Sequence, residues 1–252
     1  KVGYFDNDDL IFFESINIIS EGVKYKNVSF IDNKIILGNN DGFFIFRKKK
    51  ILLVFRRPVF KFRPSHADVF HIDLTVDGEN FLRDGGSFSY NTDYKKIEYY
   101  NGVQSHNTIS FDDRNQMNKI SRFLYSSWLK EDFFYHKDLV DYYYIKSSYT
   151  DNYGSRHARK IYIYKNHLKV IDAVENFKNF AKIKWRLNPI KWSEKKYEKT
   201  NKIEINFKSN QISGDFFLKM GSESKLYNTE SKITEIYKKI KYPSKFTTTI
   251  KW

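Results

Sequence analysis

Apolar residues in this chain return at every second position, in runs about as long as a single strand, with polar turn signals between the runs. A helix does not carry that period. A strand with one buried and one polar face does. The clearest run is Val69–Val76, where Phe70, Ile72, Leu74 and Val76 alternate with Val69, His71, Asp73 and Thr75. Asp77-Gly78 then supplies the two-residue signal of a tight hairpin, so the chain from Glu79 runs back antiparallel. With the turn there, Val76 pairs with Glu79 and Asp84 falls opposite His71, which sets a carboxylate beside an imidazole on the polar face.

The same pattern extends outward from this hairpin. From Val28 onward VSFI, KIIL, FFIFR and ILLVFR read as strands, divided by Asp-Asn, Asn-Asn-Asp-Gly and a lysine run that forms a hairpin tip. IYIY and LKVIDAV flank Lys165-Asn166 as another hairpin, and IEINF, FFLKM and FTTTIKW follow as later strands beyond a polar loop at 193–202. The mixed aromatic and charged stretch 121–153 fits two strands or a strand and a loop equally well. Asp8 and Asp9 ahead of LIFFESINIIS, with Gly22 after it, read as a short capped helix. A length of 252 residues and an aromatic content of 18% suit one large domain with a substantial core.

Composition narrows the chemistry. With no cysteine there are no disulfides and no thiolate ligands, so any metal must use imidazole and carboxylate. No apolar run approaches the length of a membrane span. The net charge of +14 suits an anionic partner, but lysines scattered over a solvated surface produce the same figure. No nucleic-acid-binding motif accompanies it, so charge alone supports that partner and none is expected.

Chemistry-bearing residues concentrate in 63–116, which holds three of the six histidines. Pro58 and Pro64 bracket an extended segment that delivers His66, and Asp84-Gly85-Gly86 leaves the strand through glycines that permit close backbone approach. Ser105-His106-Asn107-Thr108 follows. His66, Asp84 and His106 have the donor set of a zinc site, with Asp68 as the acceptor that would orient a ligating histidine. The competing reading is a cross-strand Asp84–His71 pair with His66 capping a loop. Arg63, Arg83 and Arg114 carry the planar fork that recognises carboxylate or sulfate. Asn107 either binds a substrate carboxylate or satisfies backbone at a strand end, and Tyr90 either donates a proton or packs. His136, His157 and His167 have no companions at meaningful spacing.

SHADVFHIDLTVDGENFLRDGGSFSYN, followed by SHNTISFDDRNQ, resembles the signature of the heparinase II/III-like proteins: a His-Ala-Asp run, a strand, an Asp-x-Gly segment, then His-Asn-Thr and a following Gln. RHARKIYIYKNHLKVIDAVENF and KIKWRLNP are similar to later strands of that family, so the resemblance runs from about Gly42 to Pro189 and more weakly to the end. It implies an all-β chain, a large antiparallel, supersandwich-like β-sandwich over 28–252. Residues 1–27 would then be a helical linker or the remnant of an upstream α/α-toroid domain. It implies β-elimination on a uronic-acid-containing acidic polysaccharide, in the periplasm or cell envelope of a bacterium, with Tyr90 and His106 as catalytic candidates and Arg63, Asn107, Arg83 and Arg114 as substrate contacts. In several such lyases the residues matching His66, Asp84 and His106 hold a structural metal. Many members also place a catalytic histidine two residues before the position of His66, where this chain has Pro64. That departure keeps open a non-catalytic carbohydrate-binding or scaffolding module.

Overall fold

The structure, a computed structural model, describes residues 33–37, 42–122, 124–189, 198–200, 203–209 and 216–252. The expected helix within 1–27 and the strand at 28–31 lie outside the described residues, as does the proposed boundary between them. Among the described residues, eighteen strands and one α-helix follow in order: β1 Asn33–Leu37, β2 Phe43–Lys48, β3 Ile51–Arg56, β4 Ile72–Val76, β5 Glu79–Leu82, α1 Tyr94–Asn101, β6 Ile109–Phe111, β7 Asn118–Ser121, β8 Leu124–Ser126, β9 Glu131–Asp138, β10 Tyr143–Thr150, β11 Arg156–Ile163, β12 His167–Glu175, β13 Ala181–Leu187, β14 Glu198–Thr200, β15 Ile203–Ser209, β16 Phe217–Glu223, β17 Ser231–Ile240 and β18 Ser244–Lys251.

Two antiparallel sheets form the sandwich. One has nine strands in the order β1-β2-β3-β4-β5-β13-β17-β16, with β6 also paired to β13; the other has seven in the order β14-β15-β18-β12-β11-β10-β9. Alternation explains how they close on each other. In β11 the residues His157, Arg159, Ile161 and Ile163 are buried and their neighbours are not, and in β12 the same holds for Leu168, Val170, Asp172 and Val174. Aromatic contacts cross the gap: Phe44 of β2 meets Tyr143 of β10 at 5.7 Å between ring centres, and Phe70 meets Tyr149 at 4.9 Å. Burying such rings is the main stabilising term available to a chain without disulfides.

The hairpin at Asp77-Gly78 forms with Val76 opposite Glu79, and both turn residues take positive φ. An irregularity between Leu74 and Thr75 then shifts the register to Leu74 opposite Leu82, one residue from the uninterrupted ladder. The strand itself is shorter than its pattern. Phe70 sits at φ 65°, and its N–H donates to the Arg56 carbonyl at 2.8 Å, so the chain bends at Phe70 and enters β4 only at Ile72. Helix α1 begins at the Asp93 cap, whose carboxylate accepts the Lys96 N–H at 2.9 Å. It buries Ile97 and Tyr100 and reaches β17 through Tyr99 Oη to Glu235 Oε1 at 3.1 Å.

Candidate functional site

The polar residues of the Ser-His-Asn-Thr run and the following Gln116 fasten the chain around Phe70. Thr108 Oγ1 donates to the Val69 carbonyl at 2.6 Å, and Gln116 accepts the Val69 N–H at 2.9 Å while donating back to its carbonyl at 2.8 Å. Asn107 is wholly buried. Its Nδ2 donates to the carbonyls of Ile72 and Arg83 at 2.8 and 3.2 Å, and its Oδ1 accepts the Arg186 N–H at 2.6 Å. Every polar atom of that amide is therefore committed to backbone, which is the second of the two roles considered for it.

Around this frame four ionisable side chains meet. His106 Nδ1 lies 2.8 Å from Asp84 Oδ2, and His71 Nε2 lies 3.5 Å from the same oxygen. His66 Nδ1 faces His106 Nε2 at 3.3 Å, and His66 Nε2 faces Ser87 Oγ at 3.2 Å. Asp84 Oδ1 accepts the Gly86 N–H at 2.7 Å. His71 and His106 are buried, whereas the Asp84 side chain is 40% exposed, so the cluster opens to solvent on its carboxylate side. The two glycines are needed here. A Cβ on Gly85 would stand 2.5 Å from Ser105 Cβ, and one on Gly86 would stand 2.0 Å from the Ser224 carbonyl oxygen.

Charge follows from this packing. Burial, with His106 adding to it, pulls His66 down to about 4. Burial pulls His71 to about 4 as well, even though Asp84 works against it. Burial opposes ionisation of Asp84 too, yet His106 and His71 outweigh it and hold the carboxyl well below its ordinary range. Neutral imidazoles beside an ionised carboxylate are the protonation states that bind a metal.

One donor atom from each of His71, Asp84 and His106 lies within 4.8 Å of the other two. The structure thus draws His71 into the triad position that the donor set and the family resemblance had given to His66, and sets His66 on the other edge of the His106 ring. Hydrogen bonding distinguishes the two imidazoles. His71 Nδ1 accepts the Asn107 N–H at 2.9 Å, so in the neutral ring the proton sits on Nε2, the buried nitrogen that has no hydrogen-bond partner and faces Asp84. A protonated nitrogen has no lone pair for a metal. His66 carries no such restriction, because both of its nitrogens face groups that can either donate or accept.

The remaining expected residues disperse. Asp68 pairs with Arg56 Nε at 3.4 Å. Arg83 is buried against Glu223 at 3.0 Å, so it faces no solvent; burial lifts the Glu223 carboxyl, and Arg83 and Arg186 oppose that rise. Arg63 is exposed. The Tyr90 ring lies against Tyr227 at 6.2 Å between centres. Arg114 joins Asp151 at 2.7 Å and lines an open cavity of about 540 Å³ with Tyr94, Glu98, Tyr99 and Lys119.

Behind the site lies a second cluster that spacing did not reveal. His157 Nε2 and Arg159 Nε both lie 2.7 Å from Asp172 Oδ1, all three residues being fully buried, and Arg159 Nη1 donates to the carbonyls of Phe70 and of Asn107, the latter at 3.0 Å. One guanidinium nitrogen therefore ties the residue before His71 to the residue after His106. The signal was present in the hairpin: a turn at Lys165-Asn166 puts Arg159 directly opposite Asp172.

The family profile described as Heparinase II/III-like, C-terminal, matches residues 32–245. The chain belongs to the heparinase II/III-like family. Solved structures agree in fold. A heparinase III-BT4657 gene product matches with a TM-score of 0.71 at 13% identity, over 96% of this chain and 40% of that one. Heparan sulfate lyase HepC from Pedobacter heparinus matches at 0.70 and 18%, over 98% and 42%, and a further heparinase III at 0.71 and 14%, over 87% and 37%. The chain thus spans about two-fifths of the length of these heparinase-like structures. No curated protein sequence matches it significantly.

Proposed function

We propose that this chain is the β-sandwich part of a polysaccharide lyase that cleaves a uronic-acid-containing acidic polysaccharide by β-elimination, working with an upstream α/α-toroid domain in the bacterial cell envelope. The observation that carries this reading is the family match over residues 32–245. Elimination next to a carboxylate requires that its charge be neutralised, that the C5 proton be taken by a base and that the leaving oxygen be protonated. In this chain the open side of the histidine cluster is the place where such a group can meet neutral imidazoles, with His66 the most accessible of the three.

The cluster also has the donor set of a zinc site. We assign Asp84, His106 and His66 as the residues that would hold the ion and leave His71 out, because the Asn107 N–H occupies its Nδ1 and keeps the proton on Nε2. His106 spends one nitrogen on Asp84 and faces His66 with the other, so holding one ion through all three would require the His106 ring or the His66 side chain to turn. Its chemistry there is to fix the loop and to polarise oxygen ligands.

The test is ultraviolet absorbance of unsaturated uronate products from the full-length protein on a panel of uronic-acid polymers. Product formation that disappears in His66→Ala supports the reading. A second reading, a carbohydrate-binding module without catalysis, is favoured by Pro64, which has no acid or base at the position of a family histidine. Binding of polymer by folded, zinc-loaded protein with no absorbance change decides for the module.

A further inference from the structure

The face of the seven-stranded sheet turned away from the core has an unusual make-up. Registers across β9, β10, β11, β12, β18 and β15 set two lateral rows side by side. One row runs Lys137, Tyr144, Tyr162, Lys169, Thr249, Asn206, and the next runs Tyr135, Lys146, Lys160, Ile171, Thr247, Lys208. Two rows thus hold three tyrosines and five lysines and no carboxylate. Three acids described toward the two ends of the sheet are engaged there: Glu204 with Lys251 at 3.3 Å, Glu175 with Arg156 at 3.5 Å, and Asp132 with Thr150 Oγ1 at 2.9 Å.

The tyrosines touch one another rather than the core. Tyr135 and Tyr144 are 6.1 Å apart between ring centres and Tyr144 and Tyr162 4.9 Å, with planes inclined by 58° and 49°. Lys169 Nζ stands 5.6 Å from the centre of the Tyr162 ring, and Lys146 Nζ 4.6 Å from that of Phe133. Lys146 and Lys160 are direct cross-strand partners, an arrangement of like charges that costs stability unless an anion lies across it. Burial, and then the charges of Lys245 and Lys146, push the Lys160 ammonium below its ordinary range. None of the five lysines has a carboxylate partner among the described residues.

We propose that this outer face is a binding platform for an extended stretch of anionic polysaccharide, with Tyr135, Tyr144 and Tyr162 against the sugar faces and Lys146, Lys160 and Lys169 on its carboxylates. Tyrosine rings and aliphatic lysine stems cover the apolar faces of sugar rings, and the Thr247 and Thr249 side chains in the same rows supply groups that match sugar hydroxyls. Inclined rings that present hydroxyls suit a chain of puckered rings better than the flat stack of nucleic-acid bases. The platform rests on the acidic-polysaccharide reading and adds to it a second, non-catalytic contact that keeps a long polymer on the protein while its cleavable unit sits elsewhere.

The test is the affinity of the full-length protein for hyaluronan, heparin and polygalacturonate, with single-stranded DNA of matched charge as the control. Lys146→Gln/Lys160→Gln and Tyr144→Ser/Tyr162→Ser are each expected to weaken the best-bound polymer by about tenfold or more, with the melting temperature unchanged and turnover of short oligosaccharides retained. The proposal is overturned if the tyrosine pair leaves affinity unchanged, if DNA binds as tightly and loses as much in both variants, or if the wild type binds none of the polymers. Binding that falls in both variants while the wild type cleaves nothing upholds the platform and removes the lyase reading. Short oligosaccharides cleaved as before, with polymer affinity untouched, do the reverse.

Discussion

Two Asp–His pairs lie within one sandwich and differ in almost everything but length. Asp84 and His106 meet at 2.8 Å on an open edge, with two further imidazoles beside them; Asp172 and His157 meet at 2.7 Å in the core, with the Arg159 fork on the same carboxylate. In the second pair a fixed guanidinium settles the charge of Asp172 and leaves no room for a ligand, which makes it a brace. In the first, no guanidinium intervenes, the carboxylate is 40% exposed, and neutral imidazoles outnumber the charge they serve. An Asp–His distance thus says little by itself; what else shares the carboxylate decides between a support and a site.

The largest effect expected from breaking this contrast is in the brace. Asp172→Asn strands the buried Arg159 charge and should lower unfolding free energy by ~3–5 kcal/mol in urea titrations. A loss under about 1 kcal/mol would mean that Arg159 and His157 are held by other groups. Next comes the open pair. Zinc at a hundredfold excess over its dissociation constant should stabilise the wild type by about 2.7 kcal/mol, read as a rise in melting temperature that EDTA reverses. That rise should vanish in His106→Ala and in His66→Ala, while His71→Ala retains zinc by elemental analysis. Zinc lost with His71 but kept without His66 would reverse the assignment.

Between the two clusters, Gln116→Ala should cost ~1–3 kcal/mol, because it leaves the Val69 N–H at the bend without a partner and its carbonyl with Thr108 alone. Equal stability in denaturant would show that Thr108 alone holds the bend. The smallest effect is a pH slope. Burial pulls Lys184 down to about 8, although Glu235 opposes the shift. Between about pH 8 and pH 9.5 the unfolded chain then binds more protons than the folded one, so this residue makes stability rise with pH, by at most about 1.4 kcal/mol per unit. Above pH 10 buried tyrosines such as Tyr149, which burial holds well above the ordinary phenol range, pull the other way. Lys184→Met should flatten the rise in unfolding curves collected at successive pH values.

Most strands were legible because one face of each is apolar and the other polar, as in LKVIDAV. The undecided stretch 121–153 contains β9 and β10, and the outer face explains the difficulty: Tyr135 and Tyr144 point outward while Phe134 and Tyr143 point inward, so both faces are aromatic and the period disappears. Helix α1 was invisible for another reason: it has eight residues and buries only Ile97, Tyr100 and Asn101, too few to set up a helical apolar period. At the site, Asp84 and His106 came from the motif and His71 from the hairpin register. What sets His71 apart from His66 is the Asn107 backbone N–H on its Nδ1, which no spacing encodes.

Phe70, at φ 65°, has a consequence for how the protein is made. Its bend is fixed by Arg56, by Arg159 at a separation of 89 residues and, through Val69, by Gln116 at 47. A left-handed phenylalanine is unfavourable by roughly 1–3 kcal/mol until those partners arrive. A nascent chain that ends before Arg159 therefore lacks one of the contacts that hold this bend, and with it one support of the imidazole cluster.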